Sequence, residues 1–338
     1  MKPALRERLL HRLADLMEAN TTVLAELESI DNGKSAAIAA AVDIACAIDC
    51  VRFMAGMPSK LNGSTLKPSA PFLPDTELFA WANHVPIGVV GAIIPWNFPT
   101  LLFCWKLAPA LAAGCAIVIK PAEETPLTAL YMAQLIEEAG FPPGIVNVVT
   151  GYGHTAGAAI SSHPGIDKVT FTGSTEVGRL ILQAATGNLK KVTLELGGKS
   201  PAIVMPDADL DIAIPGAASG IFFNHGQVCT AGSRLYVHRS IFDKVVEGVA
   251  DIARNMKVGP GLDPTTELGP LVSRTQQERV CAYIAAGMES GAEILAGGTT
   301  PDSSGFFVNP TVFVNTRHDM SIVREEIFGP VLVAMPFD

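Results

Sequence analysis

Apolar residues recur at helical spacing through the start of the chain, at Leu5, Leu9, Leu10, Leu13, Leu16 and Met17. Residues 2–28 therefore read as an amphipathic helix. Asp31-Asn32-Gly33 breaks the pattern, and a second, Ala-rich helix is expected over residues 35–56. Residues 58–84 hold four prolines, one glycine and few apolar runs, which predicts a loop or an extended arm. From Val85 the rhythm becomes strand, helix, strand. VPIGVVGAIIP, AIVIK, IVNVVTG, KVTFTGS and KVTLELG read as strands, with helical stretches near 99–112, 125–139, 154–162 and 175–187. This alternation of short apolar strands with helices predicts an α/β chain built on a doubly wound parallel sheet.

A second unit begins after Gly197-Gly198. PAIVM is a strand, Asp207 to Phe223 a helix and RLYVH a strand; helices follow near 240–257 and 273–290, and FFVNPTVFV and VLVAMPF are strands. The Gly-Gly turn near 196–199 suits a hinge with a cleft beside it. Asp338 follows VLVAMPF with no turn, helix or tail, so that strand is expected to leave an unpaired edge, as in a fragment. Leu101 to Ile119 is long enough to span a bilayer and carries a single charge, Lys106. Pro109 and Gly114 interrupt it and AIVIK reads as a buried strand, so a buried helix running into a buried parallel strand is preferred to a membrane span.

Composition narrows the function classes. The 338 residues are 49% hydrophobic and 17% charged, which is globular. A net charge of −9 argues against nucleic acid or an anionic membrane as the main partner. The six cysteines form no CxxC pair and no Cys/His cluster of zinc spacing, so no metal site is expected; scattered thiols point to a cytoplasmic protein. The charged, amphipathic start lacks the apolar core of a signal peptide.

Six segments carry candidate chemistry. In GQVCTAGSR, Cys229 follows a glycine and precedes small residues, so its thiol can stand open to a ligand; a buried core cysteine is the plainer alternative. LELGGKSP puts Glu195 at the end of an apolar strand, where ligands of α/β sheets bind. Burial there would raise its pKa toward that of a general base, whereas a carboxylate capping the turn needs no chemistry. FTGSTEVG reads as strand, turn and helix, with Gly173 and Ser174 at a helix start that suits a pyrophosphate, or with Ser174 as a simple cap. IKPAEETPL sets Lys120 and Glu123 just after a strand, where an acid can accept ribose hydroxyls; solvated loop charge is the alternative. PWNFP encloses Asn97 between aromatics and prolines, as an oxyanion donor or an amide bonded to its own loop. EEIFGPV adds Glu326 and Phe328 and is uninformative alone. No histidine has a triad context, although His225 is near enough to Cys229 in sequence for a Cys–His pair to be weighed.

Taken together, and in their order along the chain from PWNFP to EEIFGPV, the six segments resemble the aldehyde dehydrogenase family over nearly the whole chain. The resemblance implies a Rossmann-like NAD domain (1–65 and 87–196), an oligomerisation arm (66–86) and an α/β catalytic domain (197–338). It implies that Cys229 attacks an aldehyde, that Asn97 and the Cys229 backbone N–H hold the oxyanion, and that Glu195 activates water to hydrolyse a thioester. Lys106 matches a lysine that helps move protons away from that base. On the cofactor side Trp96, Lys120 and Glu123 match the adenosine half of NAD, with Glu123 favouring NAD over NADP. Gly173 and Ser174 match the pyrophosphate turn, Leu196 lies in the same site, and Glu326 and Phe328 match residues beside the nicotinamide ribose. Phe98, Leu102, Trp105 and Phe223 match a substrate tunnel, whose apolar character fits a hydrophobic aldehyde. LKPSAPFLP and FFNHGQVCTAGSRLYVHRS are similar to phenylacetaldehyde dehydrogenases. The family also implies a homodimer or homotetramer, and family segments are missing at both ends. An alternative reading is therefore a shortened member that binds NAD or subunits without turnover. Acyl transfer to coenzyme A is disfavoured, since it would not need Glu195.

Overall fold

The computed structural model describes residues 1–301 and 304–338. The first helical stretch is two helices rather than one, α1 (Pro3–Ala19) and α2 (Thr21–Asn32). The break lies at Asn20, whose side-chain Nδ2 donates to Leu16 O at 2.8 Å while its Oδ1 accepts from the Tyr131 hydroxyl at 2.7 Å. Asparagine competes locally with the helix ladder in this way, and apolar spacing carries no trace of it. After Gly33, α3 (Ala36–Ile38) runs through a π-helical turn (Ala39–Ile44) into α4 (Ala45–Ala55). The expected arm contains an antiparallel hairpin, β1 (Ser64–Leu66) with β2 (Ala80–Ala82).

All five expected strands then form one parallel sheet: β3 (Val89–Ile93), β4 (Ala116–Lys120), β5 (Val146–Val148), β6 (Lys168–Thr172) and β7 (Lys191–Glu195), in the order β5-β4-β3-β6-β7. Helices α5 (Pro99–Ala113), α6 (Leu127–Ala139), α7 (Ala158–Ser162) and α8 (Thr175–Ala185) connect them. One face packs Ile117 and Ile119 against Leu10, Met17, Phe103 and Leu107, and the other packs Val169 and Phe171 against Ile160 and Ile181. The long apolar stretch folds as a helix to Ala113, turns at Gly114 with φ of 89°, and continues as β4. No described helix is long and apolar enough to cross a membrane.

A second five-stranded sheet is formed by β8 (Pro201–Val204), β9 (Arg234–His238), β10 (Glu293–Ala296), β11 (Thr311–Val314) and β12 (Val331–Phe337), in the order β10-β11-β12-β9-β8. Only β10 pairs antiparallel. Helices α9 (Leu210–Phe222), α10 (Phe242–Asn255), α11 (Arg274–Glu289) and α12 (Ser321–Arg324) pack on it. The expectation that VLVAMPF leaves an unpaired edge is overturned: β12 is the central strand, hydrogen-bonded to β11 and β9. Its residues Val331 to Met335 are all buried, the pattern of a strand covered on both faces. Crossover connections set a strand's place in a parallel sheet, so sequence position gave no warning.

Candidate active site

The strand order reverses between β3 and β6, and α/β sheets bind ligands outside the carboxyl ends of strands at such a point. Four segments leave those ends: Pro95–Phe98 after β3, Lys120–Glu123 after β4, Gly173-Ser174 after β6 and Leu196–Gly198 after β7. Buried Lys120 donates to Pro121 O at 2.7 Å and pairs with the exposed Glu123 carboxylate at 3.0 Å. Partial burial raises Glu123, but hydrogen bonds from Lys120 and the Gly153 N–H outweigh it and hold its carboxyl below the usual range. Ser174 caps α8, accepting from Val177 N at 3.2 Å, while the Gly173 N–H donates to Glu195 O at 3.0 Å. Leu196 packs over α8, closely enough that a Cβ on Gly178 would lie 2.8 Å from its Cδ2. Trp96 meets Phe328 edge to face at 5.2 Å, across the gap between the two sheets' loops.

The segment leading to Cys229 is held in an unusual backbone. Asn224, His225 and Gly226 are all left-handed, with φ of 48°, 57° and 68°, a conformation that costs the two non-glycine residues roughly 1–2 kcal/mol each. Hydrogen bonds hold them there. Asn224 Nδ2 donates to Asn97 O at 2.9 Å, and His225 Nε2 accepts from Gly269 N at 2.8 Å. Asn97 Nδ2 donates to Gln227 O at 2.9 Å, so the amide bonds neither to its own loop nor to solvent but to the segment two residues before the cysteine. One Asn97 amide hydrogen is left for another acceptor. His225 faces away from any thiol role: it is buried, and burial together with nearby Lys34 pushes its pKa down to about 3, leaving a neutral ring.

Cys229 is half-buried, and burial pushes its thiol up. Backbone hydrogen bonds at Cys229 and Thr230 oppose the rise, and the Glu326 and Glu195 carboxylates add to it. The resting group is therefore a thiol, set between two acids. Glu326 is half-buried and accepts from Gly198 N at 3.0 Å; burial raises it, and the Gly198 N–H, Arg279 and Lys199 oppose. Glu195 lacks the burial that would raise its pKa: it is exposed, because β7 is an edge strand whose alternate residues face outward. Burial lowers the pKa of Lys106, with Glu195 pulling it up and Lys168 pressing it down, so Lys106 lies within electrostatic reach of Glu195.

Phe98 and Phe223 stack with centroids 6.1 Å apart. Leu102 is buried in the core below them, whereas Trp105 is 52% exposed and lines, with Lys106, Ile87, Lys168 and Thr193, a groove of about 430 Å³. The four expected tunnel residues thus divide into a stacked pair, a core residue and a groove residue.

Sequence reasoning missed the group that braces the Asn97 loop. Lys34 Nζ donates to Asn97 O at 2.9 Å, Asn32 Nδ2 donates to Trp96 O at 2.8 Å, and Glu28 Oε2 accepts from Thr100 N at 3.1 Å. Glu28, a charged residue inside an apolar helical stretch, was the available signal; Lys34 and Asn32, at the Gly33 turn, carried none.

Strand order and loop placement are those of doubly wound, dinucleotide-binding α/β proteins. The sequence model of the aldehyde dehydrogenase family matches residues 1–338, and the chain belongs to that family. It is 53% identical to the phenylacetaldehyde dehydrogenase of Pseudomonas fluorescens, covering 100% of this chain and 68% of that protein. It is 52% identical to retinal dehydrogenase 2 of Homo sapiens, over 98% of this chain and 63% of that one. An NAD+ complex of an aldehyde dehydrogenase from Bacillus cereus superposes with a TM-score of 0.97 at 50% identity, covering 100% of this chain and 68% of its own. The chain thus spans about two thirds of the length of these relatives.

Proposed function

We propose that this chain oxidises a hydrophobic or aromatic aldehyde, of the phenylacetaldehyde kind, to its acid with NAD+. The observation that carries the reading is the 2.9 Å bond from the Asn97 amide to Gln227 O, which locks an oxyanion donor to the loop that delivers Cys229. The residues present fit NAD. The eleven-residue α8 starts at the strand-order reversal, and its first-turn N–H groups suit a pyrophosphate. Gly173 and Ser174 form that turn, with Leu196 beside it. Lys120 and Glu123 would take the adenosine ribose hydroxyls with Trp96 alongside, and the Glu123 charge would repel the extra phosphate of NADP. Glu326 and Phe328 would hold the nicotinamide ribose. When bound, NAD+ supplies the acceptor for the aldehyde hydride.

The chain's own residues do the rest. The Cys229 thiol gives up its proton, and the thiolate attacks the carbonyl carbon. The second Asn97 amide hydrogen and the Cys229 N–H donate to the oxyanion, where preorganised donors act most strongly. Once the hydride has left, the acyl group is held as a Cys229 thioester. Glu195 removes a proton from water, the water adds to the thioester, and the thiolate departs as the acid is released. Exposure of Glu195 gives it the access to water that this step needs. Lys106, lowered by burial, relays the proton outward. The stacked Phe98 and Phe223 favour an apolar substrate, and the relationship to a phenylacetaldehyde enzyme supports the choice.

We assign residues 1–65 and 87–196 to the NAD domain and 197–338 to the catalytic domain. The arm 66–86 would join copies into a homodimer or homotetramer, consistent with its exposed Phe72, Phe79 and Trp81. Six unpaired cysteines fit a reducing, cytoplasmic setting.

The test mixes the chain with NAD+ and phenylacetaldehyde and follows NADH absorbance. Formation of NADH that disappears in Cys229→Ala supports the mechanism. A folded protein that binds NAD+ but oxidises nothing in a panel of aldehydes would sink it in favour of a binding-only member.

A further inference from the structure

A charged cluster lies buried directly behind the Asn97 loop. Lys34 and Glu28 are 1% and 0% exposed, and their charges lie 3.5 Å apart. Lys34 also pairs with Asp43, which sits fully buried in the π-helical turn between α3 and α4. Burying three ionisable groups is costly, and pairing recovers that cost only with good geometry and further hydrogen bonds. The further bonds here all run to one place. Lys34 Nζ donates to the Asn97 carbonyl at 2.9 Å and lies 4.3 Å over the Phe98 ring. Glu28 accepts from both the N–H and the hydroxyl of Thr100. The same Asn97 carbonyl accepts from Asn224 Nδ2 at 2.9 Å, and the Asn97 side chain reaches Gln227 O.

Resting on the function proposed above, we infer that Lys34, oriented by Asp43 and Glu28, is a positioning residue that aims the Asn97 amide at the oxyanion through the Asn97 carbonyl. Lys34 touches neither substrate nor nucleophile. A π-helical turn is a costly irregularity that recurs at functional sites, and here it carries Asp43, one of the carboxylates that orient the lysine. Burial also raises the Asp43 pKa against the pull of Lys34, so the cluster holds less net negative charge than three ionised groups would. A misaimed catalytic group loses about 100-fold in rate for a displacement near 1 Å, so anchoring at this carbonyl has a kinetic consequence.

The test is a double-mutant cycle of Lys34→Met with Asn97→Ala. The expected result is a fall in kcat of about 100-fold for Lys34→Met, with the dissociation constant of NAD+ unchanged, recovery toward wild type in Lys34→Arg, and no further fall when Lys34→Met is added to Asn97→Ala. Hydrogen–deuterium exchange gives a readout independent of turnover: the peptide carrying Asn97 should exchange at least about tenfold faster in Lys34→Met, while peptides of β9 and β12 stay protected. Unchanged exchange at Asn97, or equal falls in kcat with and without Asn97, would overturn the inference. If Asn97→Ala itself keeps full activity, the oxyanion role fails and takes the positioning role with it; if Asn97→Ala is impaired and Lys34→Met is not, only the positioning role fails. Should Lys34→Met not fold, Lys34→Met/Asp43→Leu/Glu28→Gln removes the buried charges as a unit, with the glutamine oxygen still able to accept from Thr100, and carries the same measurements.

Discussion

Lowering the pH should cost stability at one residue that does no chemistry, His225. His225 is buried with Nε2 accepting from the Gly269 N–H, and its pKa falls from 6.5 to about 3. A depressed folded pKa contributes stability that is complete above the unfolded value and is lost as pH falls toward the folded one. Between pH 7.5 and pH 5 the unfolded imidazole takes up a proton that the folded one refuses, which costs about 2 kcal/mol. Asp31 and Asp43 work in the opposite sense: burial raises them to about 6 and about 7, so their contributions are fully present only in acid and are lost as pH rises through those values. The partial exposure of Asp31 weakens its share. His225→Gln separates the two, because the glutamine oxygen can accept from Gly269 N–H but does not titrate. Denaturant melts at both pH values should show wild type losing about 2 kcal/mol more than His225→Gln over this range. Equal losses, or a His225 ring resonance that titrates near 6.5 in the folded protein, would refute the argument.

Two further outcomes follow from the cysteine loop. Because burial and the Glu326 and Glu195 carboxylates raise the Cys229 thiol, its alkylation by iodoacetamide should stay slow at neutral pH and accelerate only in alkali. Glu326→Gln removes one of those charges and should speed alkylation at a fixed neutral pH, with an unchanged rate counting against the electrostatic account. Gly226→Ala should lower the melting temperature and abolish aldehyde oxidation, since φ of 68° costs an alanine about 1–2 kcal/mol and its Cβ would run into the Gly329 carbonyl. A variant with wild-type melting and turnover would show that the loop tolerates another backbone.

Most of the strands were legible because each is a short apolar run bounded by glycine or charge, as in AIVIK and KVTLELG. Their carboxyl ends then carried the candidate residues to one side of the first sheet. What was not legible depends on contacts between distant segments. Asn20 breaks a helix whose apolar spacing runs on, because Tyr131 and Leu16 hold its side chain. β10 escaped notice because EILA is short, begins with a charge and pairs through a bulge. The strand-end place of Glu195 was legible in LELGG, but its exposure was not, since it follows from the edge position of β7. Glu28, Lys34 and Asp43 sit in a helix, a turn and a π-helical turn, and only folding brings Lys34 and Glu28 onto the Asn97–Thr100 loop and Asp43 onto Lys34.

The central place of β12 bears on the order in which the chain can assemble during synthesis. The first sheet is complete once Glu195 has emerged, its longest reach being from β6 back to β3. β9 must wait for β12: Arg234 pairs with Val333, and at ~5–20 residues per second that gap is on the order of ten seconds. Through that interval the inner edge of β9 has no strand to pair with. A nascent chain stalled between β9 and β12 would expose a sticky ribbon beside an already folded half. Chaperone capture, misassembly and degradation should concentrate in that window.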